Sequence, residues 1–273
     1  MKKKSLRVAL IQMNSSADTA ANLAWMKKKT YVAAKEGAQW VLFPEMGYQA
    51  APKAAWRSEV AKYSSYLETF QSWAQELGIT LIPGSLREPA ARKHAYYNTL
   101  PVISRTGKVL AAYRKIHLFQ ATLPDRRYNE AAYTDRGTKV SVVDIDGVKL
   151  GLTICFDLRF PELFRALRGA GAQIITVPSA FVYHTGVAHW EVLLRARAIE
   201  NQVFVLAPNQ TGVIGTGSRC FGNTVAISPW GKVFARKKNA AGILPVEIKL
   251  DEIATASQSL DAWGCRQPHV FQF

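Results

Sequence analysis

Short apolar runs of strand length alternate with longer amphipathic stretches along most of the chain. Residues 6–13 read as a first strand, and 19–36 carry helical spacing that ends at Gly37. Residues 39–43 form a buried strand running into Pro44-Glu45. The pattern then predicts one helix over about 56–77, stopped by Gly78, and a strand over 79–82. Residues 97–104 and 108–113, joined by Arg105-Thr106-Gly107, have the alternation of a hairpin, and 139–145 and 148–154 make a second around Asp146-Gly147. Next come a helix over about 161–168, a strand over 173–177, a long helix over about 188–201 and a strand over 203–207. The remainder to about residue 248 is mostly strand, with a turn at Pro229-Trp230-Gly231. Residues 120–137 show no clear period, and a loop of that length often closes a site.

Strands interleaved with helices, plus hairpins, specify α/β layers with mixed sheets. No linker, repeat or low-complexity stretch divides the chain, so 1–273 reads as a single domain with a core over about 6–250 and a tail over about 251–273. Apolar residues make up 48% of the 273, as in a globular protein. No apolar run approaches the ~20 residues that span a bilayer. The basic start, Met1-Lys2-Lys3-Lys4-Ser5, leads into a segment broken by Arg7 and Gln12, too short for an export signal. Three separated cysteines, Cys155, Cys220 and Cys265, form no disulfide framework or metal-ligand spacing and fit a reducing compartment. A cytoplasmic protein is expected.

Charge widens the choice of function. Thirty-five basic residues against 20 acids give a formal charge of +15, so nucleic-acid binding must be weighed. Only Lys2-Lys3-Lys4 and Lys27-Lys28-Lys29 cluster, with no nucleic-acid-binding motif beside them; a solvated basic surface, or one that draws in anionic substrates, accounts for the same composition.

Three residues at strand ends carry candidate chemistry. The strand 148–154 breaks at Cys155-Phe156-Asp157, and Pro161 opens a helix. A thiol at such an elbow stands at a strand's carboxyl end, with turn amides available to an oxyanion; a buried, inert cysteine fits the same context. Glu45 follows a buried strand, where desolvation would raise its pKa toward general-base range, although a surface-loop carboxylate is the plainer reading. Lys115 ends another strand and offers a fixed positive charge, as many surface lysines do. His189-Trp190-Glu191 reads as structural, with a Glu191–Arg195 pair and Trp190, Leu193 and Leu194 packing. Cys220 and Cys265 read as bystanders, and Arg159 as a substrate-carboxylate contact or an ion-pair partner within the elbow.

Taken together, Phe43-Pro44-Glu45, the run from Tyr113 through Lys115 to Phe119, and the run from Gly151 through Cys155 to Glu162 resemble, in this order, the three motifs of the nitrilase superfamily of carbon–nitrogen hydrolases. Pro178-Ser179-Ala180-Phe181, the run from Thr185 to Gln202 and Pro229-Trp230-Gly231 extend the likeness from Val8 to about Leu250. The resemblance implies a four-layer α-β-β-α sandwich with mixed sheets that pairs into a homodimer or higher homo-oligomer, and a cofactor-free, metal-free mechanism. It implies Glu45, Lys115 and Cys155 as the catalytic triad and the backbone N–H of Phe156 as an oxyanion donor. A further active-site glutamate is best matched by Glu130, with Asp125 the other acid nearby. The run from 178 to 210 is most similar to the branch holding deaminated-glutathione amidase and omega-amidase. The expected activity is hydrolysis of a small, anionic, carboxylate-bearing amide to acid and ammonia through a cysteine thioester, with deaminated glutathione the leading substrate. Omega-amidase action on 2-oxoglutaramate, an N-carbamoyl hydrolase and a nitrilase share the triad; a non-catalytic scaffold or a basic nucleic-acid-binding protein are the rivals from other classes. Residues 215–219 and Phe221-Gly222-Asn223 depart from that branch's pattern, which bears on substrate choice if they touch it.

Overall fold

The computed structural model describes residues 5–124 and 126–270; Lys2-Lys3-Lys4 and Asp125 lie outside them. In chain order the elements are β1 (Ser5–Gln12), α1 (Thr19–Lys35), β2 (Trp40–Leu42), α2 (Trp56–Ala61), α3 (Tyr63–Leu77), β3 (Thr80–Ile82), β4 (Leu86–Pro89), β5 (Tyr96–Ile103) and β6 (Val109–Arg114). Then come β7 (Gln120–Thr122), β8 (Arg127–Asn129), β9 (Thr134–Asp135), β10 (Val142–Ile145), β11 (Val148–Leu152), α4 (Pro161–Gly169), β12 (Ile174–Thr176) and α5 (Tyr183–Asn201). The chain closes with β13 (Phe204–Ala207), β14 (Thr211–Val213), β15 (Arg219–Phe221), β16 (Thr224–Ile227), β17 (Val233–Lys237), β18 (Gly242–Lys249) and α6 (Glu252–Ser259).

Two mixed sheets organise these strands. One runs β18-β1-β2-β3-β5-β4, with β6 and β9 also paired to β5; the other runs β10-β11-β12-β13-β16-β17. β1, β2 and β3 are mutually parallel, as are β11, β12 and β13, with antiparallel partners at the flanks. Side-chain alternation sorts residues into layers. Val8, Leu10 and Leu42 face Leu150, Leu152, Ile174 and Leu206 across the space between the sheets. Ala9, Ile11, Val41 and Phe43 point the other way, onto Met26 of α1 and Phe70 and Trp73 of α3. Ile175, Val205 and Ile227 meet Phe164 and Leu167 of α4 and Trp190 and Leu194 of α5. The order is therefore α, β, β, α, as expected. Strands buried on both faces explain why the parallel segments read as unbroken apolar runs.

Three elements differ from the sequence pattern. The helix expected over 56–77 is two, because Lys62 leaves helical geometry (φ −93°, ψ 7°) between α2 and α3. α5 begins at Tyr183, ahead of the expected 188, and takes in Gly186. A Cβ there would stand 2.4 Å from the ring of Phe221, so the glycine that weakens the helix locally lets it pack against β15. The aperiodic stretch 120–137 holds a two-stranded ribbon, β7 with β8, a 3-10 turn at Glu130–Ala132, and β9. The Asp146-Gly147 hairpin forms as expected, with both residues at positive φ.

Candidate active site

The carboxyl ends of strands from both sheets open into one cavity of about 170 Å³. β2 continues through Phe43-Pro44 to Glu45, β6 delivers Lys115, β11 leads through Thr153-Ile154 to Cys155, and β12 leads to Ala180. Clefts beyond the carboxyl ends of parallel strands are where α/β sheets place ligands, because adjacent connections diverge there. Two glycines hold the strand ends in register. A Cβ on Gly84, which has φ +79°, would lie 1.9 Å from the Pro44 carbonyl beside Glu45. One on Gly137 would lie 2.0 Å from the Arg114 carbonyl beside Lys115. Only glycine permits either approach.

Cys155 has φ +47°, a left-handed backbone that a non-glycine residue adopts only when its surroundings hold it there. The hold is visible. Its amide donates to the Pro178 carbonyl at 3.0 Å. Two residues on, the fully buried Asp157 accepts from Ile154 N (2.9 Å) and the Tyr113 hydroxyl (2.7 Å) on one oxygen, and from His117 N (3.0 Å) and bonds His117 Nδ1 (2.7 Å) on the other. Tyr113 and His117 flank Lys115 by two residues on each side, so Asp157 ties the cysteine elbow to the lysine strand.

Around the sulfur, four predicted residues converge. Lys115 Nζ, 2% exposed, donates to Glu45 Oε1 and Glu130 Oε2, both at 2.9 Å. Glu45 also accepts from Asn98 Nδ2 (2.9 Å) and Ala180 N (3.0 Å). Glu130 takes Phe119 N (2.7 Å) and Asn98 Nδ2 (3.3 Å) besides. Phe156 lines the cavity, and its amide is committed to no acceptor among the described residues. Asn98 and Asp157 are the members that sequence reasoning missed. Asn98 had one signal, the polar pair Asn98-Thr99 buried within β5.

Burial pushes the Glu45 carboxyl upward, but the Lys115 charge and the hydrogen bonds it receives leave it below the ordinary glutamate value. This corrects the expectation that desolvation would lift it: the ammonium outweighs the lost water. Lys115 runs the other way, its desolvation overcome by Glu130 and Glu45, and sits well above the usual lysine value. Burial and the Glu45 charge push the Cys155 thiol well above its usual value. At neutral pH the cluster therefore holds a carboxylate, an ammonium and a neutral thiol.

The remaining candidates fall outside this cluster. Cys220 is buried in β15 and Cys265 is exposed. His189 is exposed on α5, with Nδ1 3.3 Å from Arg159 Nη1. The expected Glu191–Arg195 pair does not form: Glu191 engages Arg236, and Arg195 Nε donates to the Gly231 carbonyl at 2.9 Å. Trp190 and Leu194 are buried as expected. Arg159 lines the cavity, its guanidinium 5.4 Å from the Phe181 ring and 5.7 Å from that of Phe156, with no carboxylate partner among the described residues. Phe119, Tyr128 and Tyr133 from and beside the 120–137 segment wall the cavity, and Thr216 and Ser218 bring the divergent 215–219 loop to it. Phe221 and Asn223 instead support α5. Among the described residues no group of three or more histidine, cysteine, aspartate or glutamate side chains is arranged to hold a metal ion, and no helix is long and apolar enough to cross a membrane.

Parallel strands that deliver a carboxylate, an ammonium and a thiol to one cavity define a hydrolase of carbon–nitrogen bonds other than peptide bonds. The chain matches the carbon-nitrogen hydrolase family over residues 7–258 and belongs to that family. It is 36% identical over 257 residues to a deaminated glutathione amidase of Yersinia enterocolitica, covering 92% of this chain and 90% of the relative. The crystal structure of the NitFhit protein of Caenorhabditis elegans superposes with a TM-score of 0.93 at 32% identity, covering 100% of this chain and 67% of that one. A cysteine-to-alanine mutant of the amidase from Nesterenkonia sp. AN1, in complex with butyramide, aligns with a TM-score of 0.79 at 28% identity over 94% of this chain and 95% of that one.

Proposed function

We propose that the whole chain acts as a single amidase unit on small carboxylate-bearing amides, with Cys155 as nucleophile, Glu45 as base and acid, and Lys115 as oxyanion partner. One observation carries this reading: a single buried carboxylate, Glu45, bonds the Lys115 ammonium inside the cavity that Cys155 also lines. A neutral thiol is a poor nucleophile, so its proton must leave as the bond forms. Glu45 takes that proton while Sγ attacks the amide carbonyl. The tetrahedral oxyanion is met by the third Lys115 proton and the Phe156 amide, fixed dipoles that need no rearrangement as charge develops. Glu45 then returns the proton to the amide nitrogen, the C–N bond breaks, and a thioester remains on Cys155. Water attacks the thioester, again giving its proton to Glu45, and the acid departs as that proton returns to the sulfur. Glu130 and Asn98 keep Lys115 and Glu45 aligned through the hydrogen bonds described above.

Arg159 supports an anionic substrate, since a half-buried guanidinium without a carboxylate partner is positioned to receive one from outside. Deaminated glutathione is the leading candidate, on the name of the Yersinia relative. Its linkages are secondary amides, so an amine leaves; from a primary amide such as 2-oxoglutaramate, ammonia leaves. Self-association is proposed through α5, where exposed Val192 and Ile199 share a helix face beside exposed Trp230; the reading also holds the protein to the cytoplasm. The test is acid and amine or ammonia release from both 2-oxo amides, an aliphatic amide, a nitrile and an N-carbamoyl amino acid. Turnover of a 2-oxo amide that disappears in Cys155→Ala supports the proposal. Turnover that survives the substitution, or none in folded wild type, sinks it.

A further inference from the structure

Arg87, on β4, lines the same cavity yet has no part in the chemistry above. It is 3% exposed and makes no ion pair among the described residues. The carboxylates near it are committed elsewhere. Glu88, its neighbour on the opposite face of β4, pairs with Arg114 at 2.6 Å and accepts from Thr99. Glu59 holds Lys62 and the Tyr66 hydroxyl, and Glu130 holds Lys115. The guanidinium instead lies 4.8 Å from the Trp56 ring and 5.3 Å from that of Tyr96, and Nη1 donates to Gln49 Oε1. Two donors are then left over. Arg87 Nε and Gln49 Nε2 are both buried without a hydrogen-bond partner, and both residues line the cavity.

A buried cation without a counter-charge, beside two unmet donors, is costly unless something that visits the cavity satisfies it. The aromatic faces and the Tyr48 and Tyr96 hydroxyls beside the guanidinium soften the desolvation but supply no negative charge. What the group lacks is an acceptor carrying negative charge and two oxygens, which a carboxylate provides in the geometry a guanidinium fork receives. Gln49 lies four residues after Glu45 in the same loop, so an anion held here is fixed relative to the base.

We infer that Arg87 and Gln49 form a second carboxylate subsite, so that the preferred substrate is a dianionic amide carrying one carboxylate on each side of the scissile C–N bond. This rests on the amidase reading and on Arg159 as the receiver of the other carboxylate. Arg159 follows β11 and Arg87 lies on β4, so each contributing sheet brings one guanidinium to the cavity that also holds the reacting groups. The two leading substrates are thereby separated: deaminated glutathione carries a carboxylate on both its acyl and amine portions, and 2-oxoglutaramate carries one.

Three matched amides test this: one with both carboxylates, one lacking the acyl-side carboxylate, and one lacking the amine-side carboxylate. Wild type should prefer the dianion over either monoanion by about 10- to 100-fold in kcat/KM, the worth of a hydrogen bond to a charged group. Arg87→Met should remove that preference for one carboxylate only, mostly through KM. The monoanion that lacks this carboxylate should stay within about threefold of wild type, and Arg87→Lys should recover part of the loss. An equal fall on all three amides would assign Arg87 a purely structural role and overturn the inference, as would no change on any. Should Arg87→Met fail to fold, calorimetry on wild type decides: a small dicarboxylate must bind more tightly than its monoamide, and equal affinity refutes the second subsite. Failure of the amidase reading is seen separately, as turnover that persists in Cys155→Ala.

Discussion

Asp157 is the residue whose removal should damage both fold and site, and by an amount the hydrogen bonds set. In Asp157→Ala the Tyr113 hydroxyl and the Ile154 amide, both buried, lose their acceptor in a region closed to water. Each orphaned donor costs about 1–3 kcal/mol, so the pair costs about 2–6 kcal/mol before the His117 contacts are counted. Against a whole stability of about 5–15 kcal/mol this is a large fraction, and it corresponds to a fall in Tm of about 5–20 °C. The second effect is local. Without Asp157 the side-chain hydrogen bonds that join the positive-φ elbow at Cys155 to the residues flanking Lys115 are lost, so kcat should fall about 100-fold even at temperatures where the variant is folded. Calorimetry gives the first number and turnover at 15 °C the second. Asp157→Asn, which keeps one acceptor oxygen, should lie between. A variant with Tm within 2 °C of wild type and unchanged kcat would refute the idea that this carboxylate holds the elbow.

Further outcomes follow from the same geometry. With Glu45 held below its ordinary 4.5 and Lys115 well above 10.5, the reactive protonation state spans neutral pH. The kcat/KM profile should be flat there, falling only below the usual carboxylate range and above the usual lysine range; a limb near pH 7 would contradict it. The depressed Glu45 also stabilises the fold above pH 4.5, and that contribution is lost as pH falls through its lower folded value. Gly84→Ala forces a methyl into the Pro44 carbonyl and should cost several-fold in kcat and about 2–4 kcal/mol in stability, measured by urea unfolding. An unaffected variant would show that this approach does not position Glu45.

The layers and three strand-end residues were legible because both depend on local pattern. An apolar run that ends in Pro44-Glu45, or breaks at Cys155 before Pro161, marks a side chain held where a sheet stops. Glu130 was legible only through the family's motif, since nothing in an aperiodic segment says which acid turns inward. Asn98, Asp157 and Arg87 were hidden for a shared reason: the side chains that engage them, Glu45 and Glu130, Tyr113 and His117, and Gln49, lie 32 or more residues away, so spacing along the chain carries no trace of them. The direction of the Glu45 shift was hidden too, because it depends on the Lys115 charge 70 positions later as well as on burial. The break at Lys62 has no proline or glycine to announce it, and the early start of α5 was masked by Gly186, whose compensation comes from Phe221.

The decisive measurement is intact-protein mass spectrometry of the enzyme quenched with acid during turnover of a 2-oxo amide, followed by peptide mapping. An adduct with the mass of the acyl portion, located on the Cys155 peptide and lost in Cys155→Ala together with turnover, is the predicted result. Steady turnover with no adduct at any quench time, and undiminished in Cys155→Ala, would contradict a thioester route through this cysteine.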